Sequence, residues 1–183
     1  MLILGDSLSA EYGLKRGEGW VALLEKRLAK AKIPARIVNA SISGETTAGG
    51  RSRLNALLTQ HKPDTVVIEL GGNDALRGLP VAQTQANLAA MVDAAKVSGA
   101  KVLILGIQVP PNYGMAYLNS FSKIFASVST TSKVPAVPFM LKGVADGPDA
   151  ASMFQPDRIH PVAAAHPRIL DNIWPELRKL IAQ

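Results

Sequence analysis

Five short apolar runs punctuate the chain, at residues 2–4, 35–39, 65–70, 101–107 and, more weakly, 136–139, and each is followed by a longer stretch of helical spacing. The runs TVVIEL and KVLILGI are almost continuously apolar, as strands covered on both faces of a parallel sheet must be, because neither side of such a strand meets water. Helices are expected at 20–32, 47–60, 81–98, 115–130 and 161–181. In the first of them Val21, Leu24, Leu28 and Ile33 make one apolar stripe. Gly99 is placed to terminate the third, and Pro63 stops the second before its strand. Uninterrupted βα alternation implies a three-layer α/β sandwich with right-handed crossovers and no second domain. Residues 1–183 are therefore expected to form a single domain, a length sufficient for one core.

The formal charge of +6 raises the question of nucleic acid, but the cations do not cluster. Lys26, Arg27, Lys30 and Lys32 share a helical stretch with apolar residues, the others are scattered, and no aromatics are interleaved. No nucleic-acid partner is expected, and the positive excess is left to steer anionic substrates. The chain has no cysteine, which removes thiol nucleophiles, disulfides and thiolate metal sites. No apolar run approaches the ~18 residues of a membrane span, so stable membrane insertion is not expected. No basic-then-apolar leader precedes the first strand; either the chain begins abruptly or an upstream segment is missing. Nothing in the sequence indicates an oligomeric state.

In such a sheet, ligands sit beyond the carboxyl ends of the strands, near the point where strand order reverses. The loops at that rim are 5–13, 40–50, 71–80, 108–114 and 142–160, all rich in Gly, Ser, Asn, Asp or Pro. Ser7, in the string GDSLS, stands just past the first strand. Asp6, Ser7 or Ser9 can equally well cap the turn that follows, and a serine becomes a nucleophile only with a base in hydrogen-bond reach. Of the three histidines, His61 follows a helix at the opposite edge of the sheet, and His166 falls inside the last helix as a surface or packing residue. His160 ends the long loop after the fifth strand, immediately before Pro161, a favoured first helical residue, and alone shares the rim with Ser7. Asp157, three residues earlier in PDRIHP, can lie beside the imidazole and orient one ring nitrogen while the other faces Ser7, or it can simply cap the turn after Pro156. Asp146 and Asp149 share the loop without that short path to His160.

Three donors are candidates for an oxyanion. Asn73 in GGND follows a buried strand through two glycines that let its amide approach a substrate, Gly44 in SISGET offers a bare backbone N–H, and Ser7 offers its own. Leu76, Leu79 and Pro80, with Ile107, Val109, Pro110 and Tyr113, can form an apolar groove beside Ser7 or merely cover the sheet edge.

These strings, in this order, resemble the SGNH hydrolases, the GDSL lipase and esterase superfamily, whose four letters correspond to Ser7, Gly44, Asn73 and His160. GDSLSAEYGL, NASISGETTAGG, ELGGNDALRGLP and DRIHP resemble its four blocks, and with PPNYGMAY they are similar to the thioesterase I, arylesterase and lysophospholipase branch. The resemblance spans nearly the whole chain. It implies an α/β/α sandwich of flavodoxin-like type with a mostly five-stranded parallel sheet, and a triad of Ser7, His160 and Asp157 that forms a covalent acyl-enzyme. It further implies an oxyanion hole from Ser7, Gly44 and Asn73, small ester or thioester substrates, no cofactor or metal, acyl-chain contacts in residues 75–80, and a periplasmic or secreted location. Glu11, Ala75 and Lys142 depart from the family's usual residues, the first two in segments expected to flank the oxyanion region. An ordinary imidazole changes charge near pH 6.5, so with a histidine base hydrolysis is expected to rise between about pH 6 and 8. Two other readings stay open: a carbohydrate acetylesterase of the same superfamily, and a non-catalytic flavodoxin-like binding module, although GDSLS is not the phosphate-cradling G-x-G-x-x-G.

Overall fold

A computed structural model describes residues 1–109 and 113–182. In chain order its elements are β1 (Leu2–Gly5), α1 (Trp20–Lys30), β2 (Val38–Asn39), α2 (Thr47–His61), β3 (Thr65–Glu69), α3 (Gly72–Leu76), α4 (Val81–Val97), β4 (Lys101–Leu105), α5 (Met115–Ser132), β5 (Ala136–Val137) and α6 (His166–Ile181). The five strands form one sheet in the order β2-β1-β3-β4-β5, and every strand pairing among the described residues is parallel. The α/β architecture read from the apolar runs is the one observed. Its strand order reverses between β1 and β3, and the register Gly5 against Glu69 brings the carboxyl ends of those two strands out side by side.

Continuous apolarity and burial agree strand by strand. Leu2, Ile3 and Leu4 of β1, Val66, Val67 and Ile68 of β3, and Leu103, Ile104 and Leu105 of β4 have no solvent exposure. Each such side chain contributes roughly 1.5–3 kcal/mol relative to exposure, which makes these strands the fixed frame for the loops above them. Helices α2, α4 and α5 pack side by side, while α1 packs on α6, so a helical layer covers each face. In α6 the stripe Ile169, Leu170, Ile173, Leu177 and Leu180 is buried at steps that keep it on one side of the helix. Thr46 caps α2 by accepting from the Gly49 N–H, and Gly99, at positive φ, follows the end of α4 as its sequence position suggests.

Four elements differ from the sequence expectation. Strands β2 and β5 keep only two residues each, because both are edge strands that pair on one side, with β1 and β4 respectively. Helix α3 is an addition, one short turn too brief to show a helical period. Helix α6 starts at His166 rather than Pro161, because Pro161 is extended and bridged antiparallel to Phe154. Around that bridge the Gln155 N–H donates to the His160 carbonyl (2.8 Å) and the Val162 N–H to the Met153 carbonyl (2.9 Å). The segment 153–162 is thus a tight hairpin standing on the carboxyl rim, and a 3-10 turn, Ala163–Ala165, leads from it into α6.

Candidate active site

Ser7 is presented by a turn that its neighbours hold from below. The Asp6 carbonyl accepts from the N–H groups of Ser9 (3.2 Å) and Ala10 (3.0 Å), and Asp6 Oδ1 accepts from the Leu8 N–H (3.0 Å). Ser9 does not cap the turn. It is buried, its Oγ donating to Glu69 Oε2 (2.7 Å) and accepting from Trp20 Nε1 (3.1 Å). Gly5 makes that packing possible, since a Cβ there would sit 2.8 Å from both Glu69 Oε2 and Ser9 Oγ. Two serines of identical chemistry, two positions apart, are therefore separated by environment: Ser9 is tied into the core, and Ser7 faces the cleft.

The hairpin supplies the partners of Ser7. Asp157 Oδ1 accepts from the N–H groups of Ile159 (2.9 Å) and His160 (3.0 Å), while its Oδ2 lies 2.7 Å from His160 Nδ1. An Nδ1–H donated to Asp157 leaves Nε2 as the acceptor, and Ser7 Oγ lies 2.8 Å from it. The same donors hold the Asp157 carboxyl down at about 2: first the His160 N–H, then the His160 ring, then the Ile159 N–H. Tyr12 lies against the imidazole with ring centroids 4.3 Å apart, and Gln155 Nε2 ties its backbone by donating to the Tyr12 carbonyl (2.9 Å).

Asn73, near the start of α3, donates from Nδ2 to Asp6 Oδ2 (2.9 Å) and to the Glu45 carbonyl (3.0 Å). Both of its amide protons are engaged before a substrate arrives. The facing loop is fixed by Arg77, which donates to the Gly44 carbonyl (2.8 Å), and by an ion pair between Arg53 and Glu45. Gly44 sits at φ +81°, a conformation that suits glycine. Behind these groups Asp74 is buried and accepts from the Thr47 N–H (2.8 Å) and hydroxyl, locking α3 to α2.

Beneath Ser7 lie two carboxyls of a different kind. Glu69 is fully buried, and burial first, then the nearby Asp6 charge, pushes its carboxyl well above the usual range. Burial likewise pushes Asp6 up to about 6, against the lowering effect of hydrogen bonds from the Leu8 N–H, Glu69 and the Asn73 amide.

Ser7, Gly44, Asn73 and His160 all line one cleft of about 750 Å³. Leu76, Ile107 and Val109 line it too, joined by Phe139, Leu141, Phe154 and Ile159, which sequence reasoning did not single out. Leu79 instead accepts from the Tyr117 hydroxyl through its carbonyl (3.2 Å), Pro80 opens α4, and Tyr113 packs on Tyr117. Pro110 falls outside the described residues. His61 belongs to a groove at the opposite edge of the sheet. His166 is buried rather than on the surface, and its Nδ1 accepts from the Trp20 N–H (3.0 Å), joining the starts of α1 and α6. Glu11 does not line the cleft with the candidate oxyanion donors; it accepts from the N–H groups of Gly17 (3.0 Å) and Gly19 (2.7 Å). Ala75 is fully buried, and Lys142 is exposed.

Similarity to known proteins extends over nearly the whole chain. Residues 3–168 match the GDSL-like Lipase/Acylhydrolase family. The chain is 54% identical over 181 residues to the esterase TesA of Pseudomonas aeruginosa, covering 99% of this chain and 89% of that protein. It is 41% identical over 181 residues to the thioesterase 1/protease 1/lysophospholipase L1 of Escherichia coli K12, covering 99% and 84%. Among solved structures, the psychrotrophic esterase EstA from Pseudoalteromonas sp., inhibited by monoethylphosphonate, superposes with a TM-score of 0.92 at 40% identity, covering 100% of this chain and 98% of that one. With Ser7, Gly44, Asn73 and His160 gathered at one strand-order reversal and this similarity along almost the full length, the chain belongs to the GDSL-like lipase/acylhydrolase family.

Proposed function

We propose that the protein is a serine esterase, hydrolysing carboxylic esters and acyl thioesters through a covalent acyl-enzyme. The observation that carries this reading is the unbroken path from Asp157 through His160 to Ser7, with contacts of 2.7 and 2.8 Å. Ser7 Oγ attacks the carbonyl carbon as His160 Nε2 takes its proton, and Asp157, held ionised, balances the imidazolium. The carbonyl oxygen, now negative, meets the N–H groups of Ser7 and Gly44 and an Asn73 amide proton that the Glu45 carbonyl gives up. His160 then returns the proton to the departing alcohol or thiol. Water repeats the sequence on the acyl-enzyme, and a carboxylic acid leaves. Losing one oxyanion donor costs on the order of 3 kcal/mol of transition-state stabilisation, about a hundredfold or more in turnover.

An apolar wall of Leu76, Ile107, Val109, Phe139, Leu141 and Phe154 favours an acyl chain over a sugar, which needs convergent polar partners. The names of the relatives, esterase and thioesterase/lysophospholipase, support the same substrate classes. The test is kcat/KM on p-nitrophenyl acetate, a long-chain acyl thioester and an acetylated sugar. The long-chain substrate is expected to be best, and Leu76→Ser is expected to lower it roughly tenfold more than the acetyl ester. Preference for the acetylated sugar would instead support a carbohydrate acetylesterase, and turnover of none of the three a binding module. The reading takes residues 1–183 as one catalytic domain, supported by the single sheet and continuous core. Export from the cytoplasm rests on the family resemblance, and intact mass of the natural protein tests it. Among the described residues no helix is long and apolar enough to cross a membrane.

A further inference from the structure

Arg158 occupies the turn between Asp157 and His160 at φ +59°, a left-handed conformation that disfavours any residue with a Cβ. Its backbone closes the turn, the N–H donating to the Gln155 carbonyl (2.9 Å), so glycine would serve the hairpin better. The reason for an arginine must then lie in its side chain. That side chain is exposed and lines the cleft containing Ser7. Among the described residues the ion pairs are Arg27–Asp171, Arg53–Glu45, His160–Asp157 and Lys179–Glu176, and none uses Arg158. Arg77, the other arginine beside the site, is committed to the Gly44 carbonyl. Of the acidic groups at the cleft, Asp157 is held by His160 and two N–H groups, Asp6 is buried beneath Ser7, and Asp146 accepts from the Gly143 N–H.

The position also selects a side of the substrate. His160 must hand its proton to the departing atom, so the leaving group lies on the hairpin side of Ser7, where Arg158 stands two residues from the base. A guanidinium presents parallel N–H donors that match a phosphate in a two-point contact. We propose that Arg158 is a specificity determinant for the leaving group, pairing with a phosphate carried by the departing alcohol or thiol. The proposal rests on the serine-esterase reading and deepens it.

The experiment compares the full chain with Arg158→Gly and Arg158→Lys on two matched substrate pairs. One pair is 1-octanoylglycerol and its 3-phosphate; the other is the octanoyl N-acetylcysteamine thioester and octanoyl-coenzyme A. The readout is the ratio of kcat/KM for the phosphate-bearing member to that for the neutral member. Arg158→Gly is expected to lower this ratio about tenfold in at least one pair. Arg158→Lys, which keeps the net charge but loses the fork, is expected to lower it less, separating local pairing from the steering effect of the overall charge. A drop confined to the glycerol pair identifies a phosphate close to the ester, and one confined to the coenzyme pair a phosphate on a longer arm. The melting temperature of Arg158→Gly should not fall, because glycine relieves the positive φ. Unchanged ratios in both pairs, or proportional losses on both members, would overturn the proposal while leaving the esterase reading intact. Failure of the wild-type protein to hydrolyse either neutral substrate would overturn both.

Discussion

Carboxyls lie on both sides of Ser7, and the protein treats them in opposite ways. Asp157, on the hairpin above, is more than a third exposed and surrounded by donors, which hold it ionised down to about pH 2. Asp6 and Glu69, at the strand ends below, are buried; burial pushes Asp6 up to about 6 and Glu69 well above the usual carboxylate range. In the proposed mechanism the carboxylate in direct contact with His160, Asp157 at 2.7 Å, balances the cation that forms on the ring. The lower pair positions: Glu69 holds Ser9 and the Asp6 N–H, and Asp6 holds Leu8 and Asn73. Charge is thus supported where solvent and N–H donors surround the carboxylate, and disfavoured where burial surrounds carboxyls that hold the turn through hydrogen bonds.

Removing the upper charge is expected to have the largest effect. Asp157→Asn preserves the size of the side chain but offers an amide to His160, and kcat should fall between about 10²- and 10⁴-fold, the lower end reflecting water's access to the hairpin. Melting temperature should hardly move, since the contact is exposed. A loss of stability with little loss of activity would reverse the proposed division between the two regions. Below Ser7 the order inverts. Glu69→Ala leaves the Ser9 hydroxyl and the Asp6 N–H without their acceptor and opens a cavity, costing about 2–4 kcal/mol, or roughly 4–16 °C in melting temperature at this chain length. Glu69→Gln mimics the neutral acid and should stay within about 1 kcal/mol of wild type at pH 5. It should gain on wild type as pH rises, because Glu69 ionisation is disfavoured in the fold.

The smallest effect is a pH slope. Burial raises the Asp6 carboxyl from its ordinary 3.8 to about 6 in the fold, so the native state binds the proton more tightly than the unfolded chain. Its contribution therefore favours folding at low pH and is lost as pH rises from about 4 through 6. Asp157 has the opposite sign, its stabilisation present above about pH 4 and lost as pH falls toward 2. Thermal melts from pH 3 to 8 should show a decline above pH 4 that is shallower in Asp6→Asn. An identical decline in the variant would remove Asp6 from this role.

Most of the frame was legible because local pattern decides it. Strands β1, β3 and β4 announce themselves as apolar runs, and the rim rule then places Ser7, Gly44, Asn73 and His160 together. Asp157 was readable from its three-residue spacing, which the hairpin realises. The remainder depends on contacts distant in sequence. Glu69 sits inside TVVIEL and passes for a strand residue; its significance comes from Ser9, 60 positions away. Phe139, Leu141 and Phe154 line the cleft because the chain after β5 folds back over the rim, a path that no periodicity encodes. The late start of α6 has the same origin, since the pairing of Phe154 with Pro161 overrides the helix-starting preference of proline. Ser9, one of three side chains able to cap the turn after β1, and Glu11, in a segment expected to flank the oxyanion region, are both satisfied by partners farther along the chain.

The account turns on Ser7 being the activated serine, and covalent labelling reads this directly. Folded wild-type protein treated with a fluorophosphonate probe should gain one adduct, located by peptide mass spectrometry at Ser7. Ser7→Ala, with an unchanged melting profile, should gain none. Folded wild-type protein that takes no label, or a Ser7→Ala variant that still carries the adduct, would contradict the assignment of Ser7 as nucleophile.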